Sequence, residues 1–185
     1  YFFIFFDCSS RHYNNYFLFR NELMYNRFMQ QIKVKPVQQE DYKGVHEVDE
    51  LTQIQYLGKK WKNLSSKKKT ECLVSRKEDF KAYVDSGFSL VAYVENNIVG
   101  FLFAYENSPF KDSIYVNHIA IDPEFQGQGI GQLLYEKLIS IAKQKKVEKI
   151  EALINTDNPN SMKLHKKMGF MLKDRKEAIL TMLET

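Results

Sequence analysis

Apolar positions along the chain change period several times, and each change marks an element. Gln31 to Val37 alternates apolar and polar residues as a strand does, with successive side chains on opposite faces. From Gln39 onward Tyr42, Val45, Val48, Leu51 and Ile54 recur at helical spacing, which predicts a helix over about 39–53 with these side chains turned inward. A second helix is predicted over 65–84, with Ser65 or Ser66 as N-cap and Gly87 just past its end. Phe88 to Val94 and Ile98 to Tyr105 read as strands joined by Glu95-Asn96-Asn97 in an antiparallel hairpin. Ser113 to Asp122 is a further strand, stopped by Pro123.

Gly129 to Lys146 predicts a helix that buries Leu133, Leu134, Leu138, Ile141 and Ala142, and Lys143, Lys145 and Lys146 suit the negative pole at its C-terminus. Lys149 to Ile154 reads as a buried strand, Asn160 to Met168 as a short helix stopped by Gly169, and 170–183 as final strands. Strand, turn, helix, strand is a crossover unit, so 113–122 and 149–154 should run parallel. Residues 1–28 follow neither period and are crowded with Phe, Tyr and Asn. They are expected to lie outside a domain that occupies 29–185, either as an extension translated from upstream sequence or as an aromatic arm packed on the domain or a partner.

The stretch Ile119-Ala-Ile-Asp-Pro-Glu-Phe-Gln-Gly-Gln-Gly-Ile-Gly131 leaves a strand, turns and enters a helix. Helix starts carry amide groups without intrahelical acceptors, and Gly127, Gly129 and Gly131 remove side chains that would keep a ligand away from them. The helix dipole adds to an anion site of this kind, and a pyrophosphate is its usual occupant. A dinucleotide fingerprint needs GxGxxG and an acidic residue about 20 positions on, and the spacing here fails that test. A phosphate-loop NTPase is excluded because no Gly-Lys-Ser or Gly-Lys-Thr follows.

Composition adds limits. Apolar residues at 44% and charged residues at 27% suit a globular domain, and a formal charge of +4 admits either an anionic cofactor or nucleic acid. Nucleic acid is disfavoured, because Lys59-Lys60-Trp61-Lys62 and Lys67-Lys68-Lys69 offer one stacking ring beside acidic neighbours and read as solvated faces. Cys8 and Cys72 lie in no metal-ligand spacing, so no metal site or disulfide framework is expected. No apolar run approaches the roughly 18 to 20 residues of a membrane span, and YFFIFF at the start lacks the flanks of a signal peptide. A cytoplasmic protein without a membrane partner is the expectation.

Gln126 to Gly131 matches each fixed position of Gln/Arg-x-x-Gly-x-Gly/Ala, and in this the chain resembles the GNAT superfamily of N-acetyltransferases. The segment Asn158-Pro-Asn-Ser-Met-Lys-Leu-His-Lys-Lys-Met-Gly-Phe170 is similar to a second block of that family, with Ser161 in place of Ala and His165 in place of Tyr. The resemblance implies an α+β, three-layer α/β/α fold, whose mixed central sheet is splayed between 113–122 and 149–154 with helices on both faces. It implies acetyl-CoA as co-substrate in that wedge. Backbone groups of Ile119, Ala120 and Ile121 would meet the pantetheine, and Gln126, Gly127, Gln128, Gly129, Ile130 and Gly131 the pyrophosphate. Asn158 would hydrogen-bond the pantetheine arm, beside Ser161 and His165, although an N-cap role for Asn158 is equally good chemistry.

The implied acceptor is a primary amine, whether protein N-terminus, lysine or small amine, which must lose a proton to a base before it attacks. The glutamate that often serves in the family is absent, since Tyr115 and Asn117 face that side. Glu106 or a water held by Asn117 is the expected base, and strict alternation would turn His118 to the face opposite Asn117. His165 stands where family members place a tyrosine that protonates the thiolate, and could donate an N–H there. Resemblance also implies a homodimer through the C-terminal strands. The competing reading is a catalytically idle module that binds acyl-CoA.

Overall fold

A computed structural model describes residues 29, 31–107 and 110–174; the aromatic N-terminal stretch and the end of the expected C-terminal strands lie outside the described residues. Along the chain β1 (Ile32–Pro36) leads through a 3-10 turn (Gln39–Asp41) into α1 (Tyr42–Leu57), α2 (Lys59–Lys62), α3 (Ser66–Cys72) and α4 (Lys77–Ser86). The hairpin β2 (Leu90–Val94) and β3 (Asn97–Asn107) follows, then β4 (Phe110–Ile121), a 3-10 turn (Pro123–Phe125), α5 (Ile130–Gln144), β5 (Lys149–Ala152) and α6 (Pro159–Lys167). Residues 171–174 form no strand.

These strands form one sheet in the order β1-β2-β3-β4-β5. The first four pair antiparallel and β5 joins β4 in parallel, as the crossover requires. One face carries α5, where Ile130, Leu134, Tyr135, Leu138 and Ala142 bury against Leu102, Ala104, Ile114 and Val116. The other carries α1 and α4, with Val45, Val48 and Phe80 on Val91, Phe101, Phe103 and Ala120. The result is the three-layer mixed sheet expected from the sequence. Each fully buried aliphatic or aromatic side chain in these clusters contributes about 1.5–3 kcal/mol of transfer free energy.

Four expectations are corrected. The helix expected over 65–84 is two helices, because Asp49 Oδ2 accepts hydrogen bonds from the amides of Val74 and Ser75, each at 2.8 Å, and holds the link between them out of helical geometry. Ser65 does cap α3, accepting from Lys68 N at 3.3 Å, and Gly87 does close α4 in the left-handed conformation. Leu51 and Ile54 are 41% and 40% exposed, since α1 runs on past the sheet toward the glycine turn and leaves only Val45 and Val48 of that stripe fully covered. Leu133 and Ile141 are half-buried on the flanks of α5. Strand β5 is half-buried rather than buried, because it is an edge strand among the described residues.

In the lysine-rich segment Lys59, Lys60 and Lys62 are exposed while Trp61 is 5% exposed, so the one ring available for base stacking is committed to packing. No helix among the described residues is long and apolar enough to cross a membrane.

Candidate active site

The β4/β5 ladder pairs Ser113 with Lys149, Ile114 with Ile150, Tyr115 with Glu151 and Val116 with Ala152, and stops there. Strand β4 continues to Ile121, paired only with β3, so the sheet opens between β4 and the segment that follows β5. Asn117 to Ile121 form one wall of this wedge. Within it Ile119 and Ile121 turn toward the α5 core and Ala120 toward α1, which leaves the backbone edge of β4 facing the opening.

The turn at the end of the wedge has the local chemistry of an anion cradle. Gly127 and Gly129 have φ of +75° and +88°, a region that L side chains rarely adopt, and Gly129 is the N-cap of α5 without a side-chain cap. The first helical bond runs from Leu133 N to Gly129 O at 3.1 Å, so the amides of residues 129–132 precede any intrahelical acceptor. A Cβ built on Gly127 would meet no protein atom within 4 Å, and the space above it is open. These features fit a diphosphate. Gly131 answers a different need: its Cβ would lie 3.0 Å from Leu164 Cδ2, so this glycine admits α6 against α5.

The polar side chains of the turn are spent on its own shape. Gln126 donates to Ile121 O at 3.0 Å and to Gln55 Oε1 at 2.9 Å, and Gln128 donates to Glu124 O at 3.1 Å. The Ile130 side chain anchors the start of α5 in the core, while its backbone amide stays among those at the turn without an intrahelical acceptor. Tyr56 donates to Asp157 Oδ2 at 3.1 Å, so the end of α1 touches both sides of the wedge, the glycine turn through Gln55 and the approach to α6 through Tyr56. Asn158 caps α6, its Oδ1 accepting from Ser161 N at 2.9 Å.

His165 is 2% exposed, with its Nδ1 2.8 Å from Ser161 O and its Nε2 2.6 Å from Tyr135 Oη. A carbonyl only accepts, which assigns the proton to Nδ1 and makes Tyr135 the donor to Nε2. Burial lowers the proton affinity of this imidazole, partly offset by the Ser161 carbonyl, and raises that of the Tyr135 phenolate. The neutral ring therefore has both nitrogens occupied and no N–H left for a thiolate.

Glu106 is exposed and pairs across the ladder with Ile114, on the α5 face. Asn117 lies on the α4 face, where its Nδ2 donates to Tyr83 Oη at 2.7 Å, so the structure does not bring these two together. The expectation for His118 is overturned. Partners shift from Phe103↔His118 to Ala104↔Val116, which makes Asn117 the extra residue of a β-bulge, and a bulge places two successive side chains on one side. His118 accordingly stacks on Phe101, with centroids 5.8 Å apart, on the same face as Asn117.

Sequence reasoning passed over Tyr83, Gln55, Tyr56, Asp157, Tyr135 and Asp49. Of these only Asp49 had a signal, a carboxylate in phase with Val45 and Val48 on the apolar stripe of α1. Tyr83 lies flat on Phe103 at 4.0 Å between ring centroids, and its phenol is held protonated chiefly by burial.

Residues 49–170 match the acetyltransferase (GNAT) family. Among relatives, the chain is 33% identical over 76 residues to an L-2,4-diaminobutyric acid acetyltransferase of Nocardia farcinica, covering 41% of this chain and 39% of that one. It is 29% identical over 133 residues to an uncharacterised N-acetyltransferase of Methanocaldococcus jannaschii, covering 70% and 54%. The chain thus spans about half or less of the lengths of these relatives. In fold it is similar to the PaiA N-acetyltransferase of Thermoplasma acidophilum in complex with coenzyme A, with a TM-score of 0.68 at 16% identity over 78% of this chain and 92% of that one.

Proposed function

The chain belongs to the acetyltransferase (GNAT) family, and from that premise we propose that it transfers the acetyl group of acetyl-CoA to a primary amine by direct attack within a ternary complex. The observation that carries this reading is the parting of β4 from β5 at Val116↔Ala152, with the Gly127–Gly129 turn and the uncapped amides of α5 at its end. A parted parallel pair exposes strand edge, and a helix start offers positive dipole. Together they suit a ligand with an amide-bearing arm and a diphosphate.

In this proposal the amides between Gln126 and Gly131 hold the diphosphate, backbone groups of Ile119 to Ile121 pair with the pantetheine arm, and Asn158 and Ser161 flank that arm from α6. The amine arrives from the side of α1 and α4, where Asn117, Tyr83, Tyr105 and Tyr115 lie on one face. Its lone pair forms the N–C bond to the thioester carbonyl carbon while the C–S bond breaks. Because His165 has no free N–H, the departing thiolate takes its proton from water. An acceptor of low molecular weight is consistent with the diaminobutyrate relative, and protein α-amines and lysines belong in the same test.

The test is a panel of diamines, amino acids and peptides incubated with acetyl-CoA, followed by free-thiol detection and mass spectrometry of the acceptor. Thiol release matched by a gain of one acetyl group on an amine is the expected result. Tight acetyl-CoA binding with no turnover across the panel would instead support the idle binding module.

A further inference from the structure

An acceptor that arrives as an ammonium must lose a proton, and the group that takes it has to reach the acceptor face near the end of the β4/β5 ladder. His118 is put there by a backbone irregularity. It lies two positions beyond Val116, where β5 ceases to pair, and the bulge at Asn117 turns it onto the face covered by α1 and α4. The residue is half-buried, and its ring stacks on Phe101 at 25° between planes, which holds it in place.

The helix that covers this face carries a buried carboxylate, since Asp49 of α1 is in phase with Val45 and Val48, which pack in one cluster with Phe101 and Ala120. Asp49 of α1 is fully buried; its Oδ2 accepts from Val74 N and Ser75 N, and its Oδ1 has no hydrogen-bond partner among the described residues. A buried, half-satisfied anion is costly unless a positive charge can form beside it. His118 lies on the sheet face that this helix packs against; burial lowers its proton affinity, and Asp49 raises it in partial opposition. Tyr83, from α4, reaches this region through Asn117 and keeps its proton, while Phe101 on β3 carries no charge. Burial keeps the resting ring neutral, and Asp49 offsets part of the cost of charging it.

We propose that His118 is the general base for the acceptor amine, and that Asp49 is a positioning residue that stabilises the imidazolium formed. The assignment rests on the acetyl-transfer reading above. His118 first takes the ammonium proton on a ring nitrogen and passes it to solvent, which frees the lone pair. As the amine nitrogen then bonds to the carbonyl carbon and the C–S bond breaks, its second proton passes to the same ring nitrogen. The electron pair leaves on sulfur, the thiolate is protonated by water, and the imidazolium returns its proton to solvent, so charge and atoms balance.

The experiment compares wild type, His118→Gln and Asp49→Asn in full-length protein, with the best amine from the panel, from about pH 5 to pH 9. His118→Gln should lower kcat by about 10²–10⁴-fold, the usual worth of general-base catalysis, while acetyl-CoA affinity by calorimetry and the thermal transition stay close to wild type. Asp49→Asn should shift the acidic limb of kcat/KM to lower pH, because the ring then loses its anion; a packing role alone would leave the limb in place. An active wild type with an unimpaired His118→Gln overturns the assignment alone. Loss of acetyl-CoA affinity or of the folding transition in step with the rate also overturns it, by marking His118 as a packing residue. Silence of wild type across the panel overturns the acetyl-transfer reading and this assignment with it.

Discussion

Replacing Gly127 by alanine separates the cost of a backbone conformation from the cost of blocking a ligand. The residue has φ of +75°, and its added methyl would meet no protein atom within 4 Å. Within the protein the substitution therefore costs only the left-handed strain of an L-residue, about 1–2 kcal/mol. For a chain of this size that lowers Tm by roughly 2–8 °C. Gly87→Ala is the matched control: its φ is +67°, it closes α4, and its methyl meets only the amine of Lys145 at 3.1 Å, at the opposite end of α5 from the glycine turn. Both variants should lose similar stability in differential scanning calorimetry.

They should differ in binding. If a diphosphate lies over Gly127, the methyl displaces it from at least one amide, and a hydrogen bond to a charged group is worth about 1.5–3 kcal/mol. That corresponds to roughly a 10- to 150-fold loss, at about 1.4 kcal/mol per factor of ten. Isothermal titration with acetyl-CoA should show this weakening for Gly127→Ala and near wild-type affinity for Gly87→Ala. Equal affinities in the two variants would refute the placement of the diphosphate, whatever the activity of the protein.

Other substitutions probe the scaffold. Gly100→Ala should lower stability by about 1–3 kcal/mol by overpacking, because its Cβ would stand 2.7 Å from Ile121 Cδ1 and 3.1 Å from the backbone oxygen of Ala120; an unchanged urea midpoint would contradict it. His165→Phe should cost about 1–3 kcal/mol by orphaning the buried Tyr135 hydroxyl, and adding Tyr135→Phe should recover most of that loss, whereas additive losses would show that the hydrogen bond is not what holds the pair. His118 and His165 both bind protons less well than free histidine, chiefly through burial, so below about pH 6.5 the unfolded chain binds more protons than the folded one. Their stabilisation is complete above that pH and declines as acid brings the medium down toward their folded-state values. The urea midpoint should therefore be higher at about pH 7.5 than at about pH 5.5, and equal midpoints would mean that both rings take up protons as readily in the fold as in the unfolded chain.

The order of residues alone determined what depends on neighbours a few positions away. The hairpin at Glu95–Asn97, the Ser65 cap, the Gly87 closure and the glycine turn that opens α5 are set by local backbone preferences, so all were legible in the sequence. The parallel pairing of β4 and β5 followed from connectivity and handedness. Tertiary structure decided the rest. The break between α3 and α4 exists because Asp49, about 25 residues earlier on another helix, captures two amides, an event no local period records. His118 faces α1 because one inserted residue against β3 reverses the alternation, and an insertion shows only when two strands are laid side by side. His165 occupies the place where a proton donor was expected, yet its chemistry was settled by Tyr135 on a different helix and by burial between them. Sequence specifies which groups exist and how the nearby chain bends; which of them meet, and which protons they then hold, is a property of contacts made across the fold.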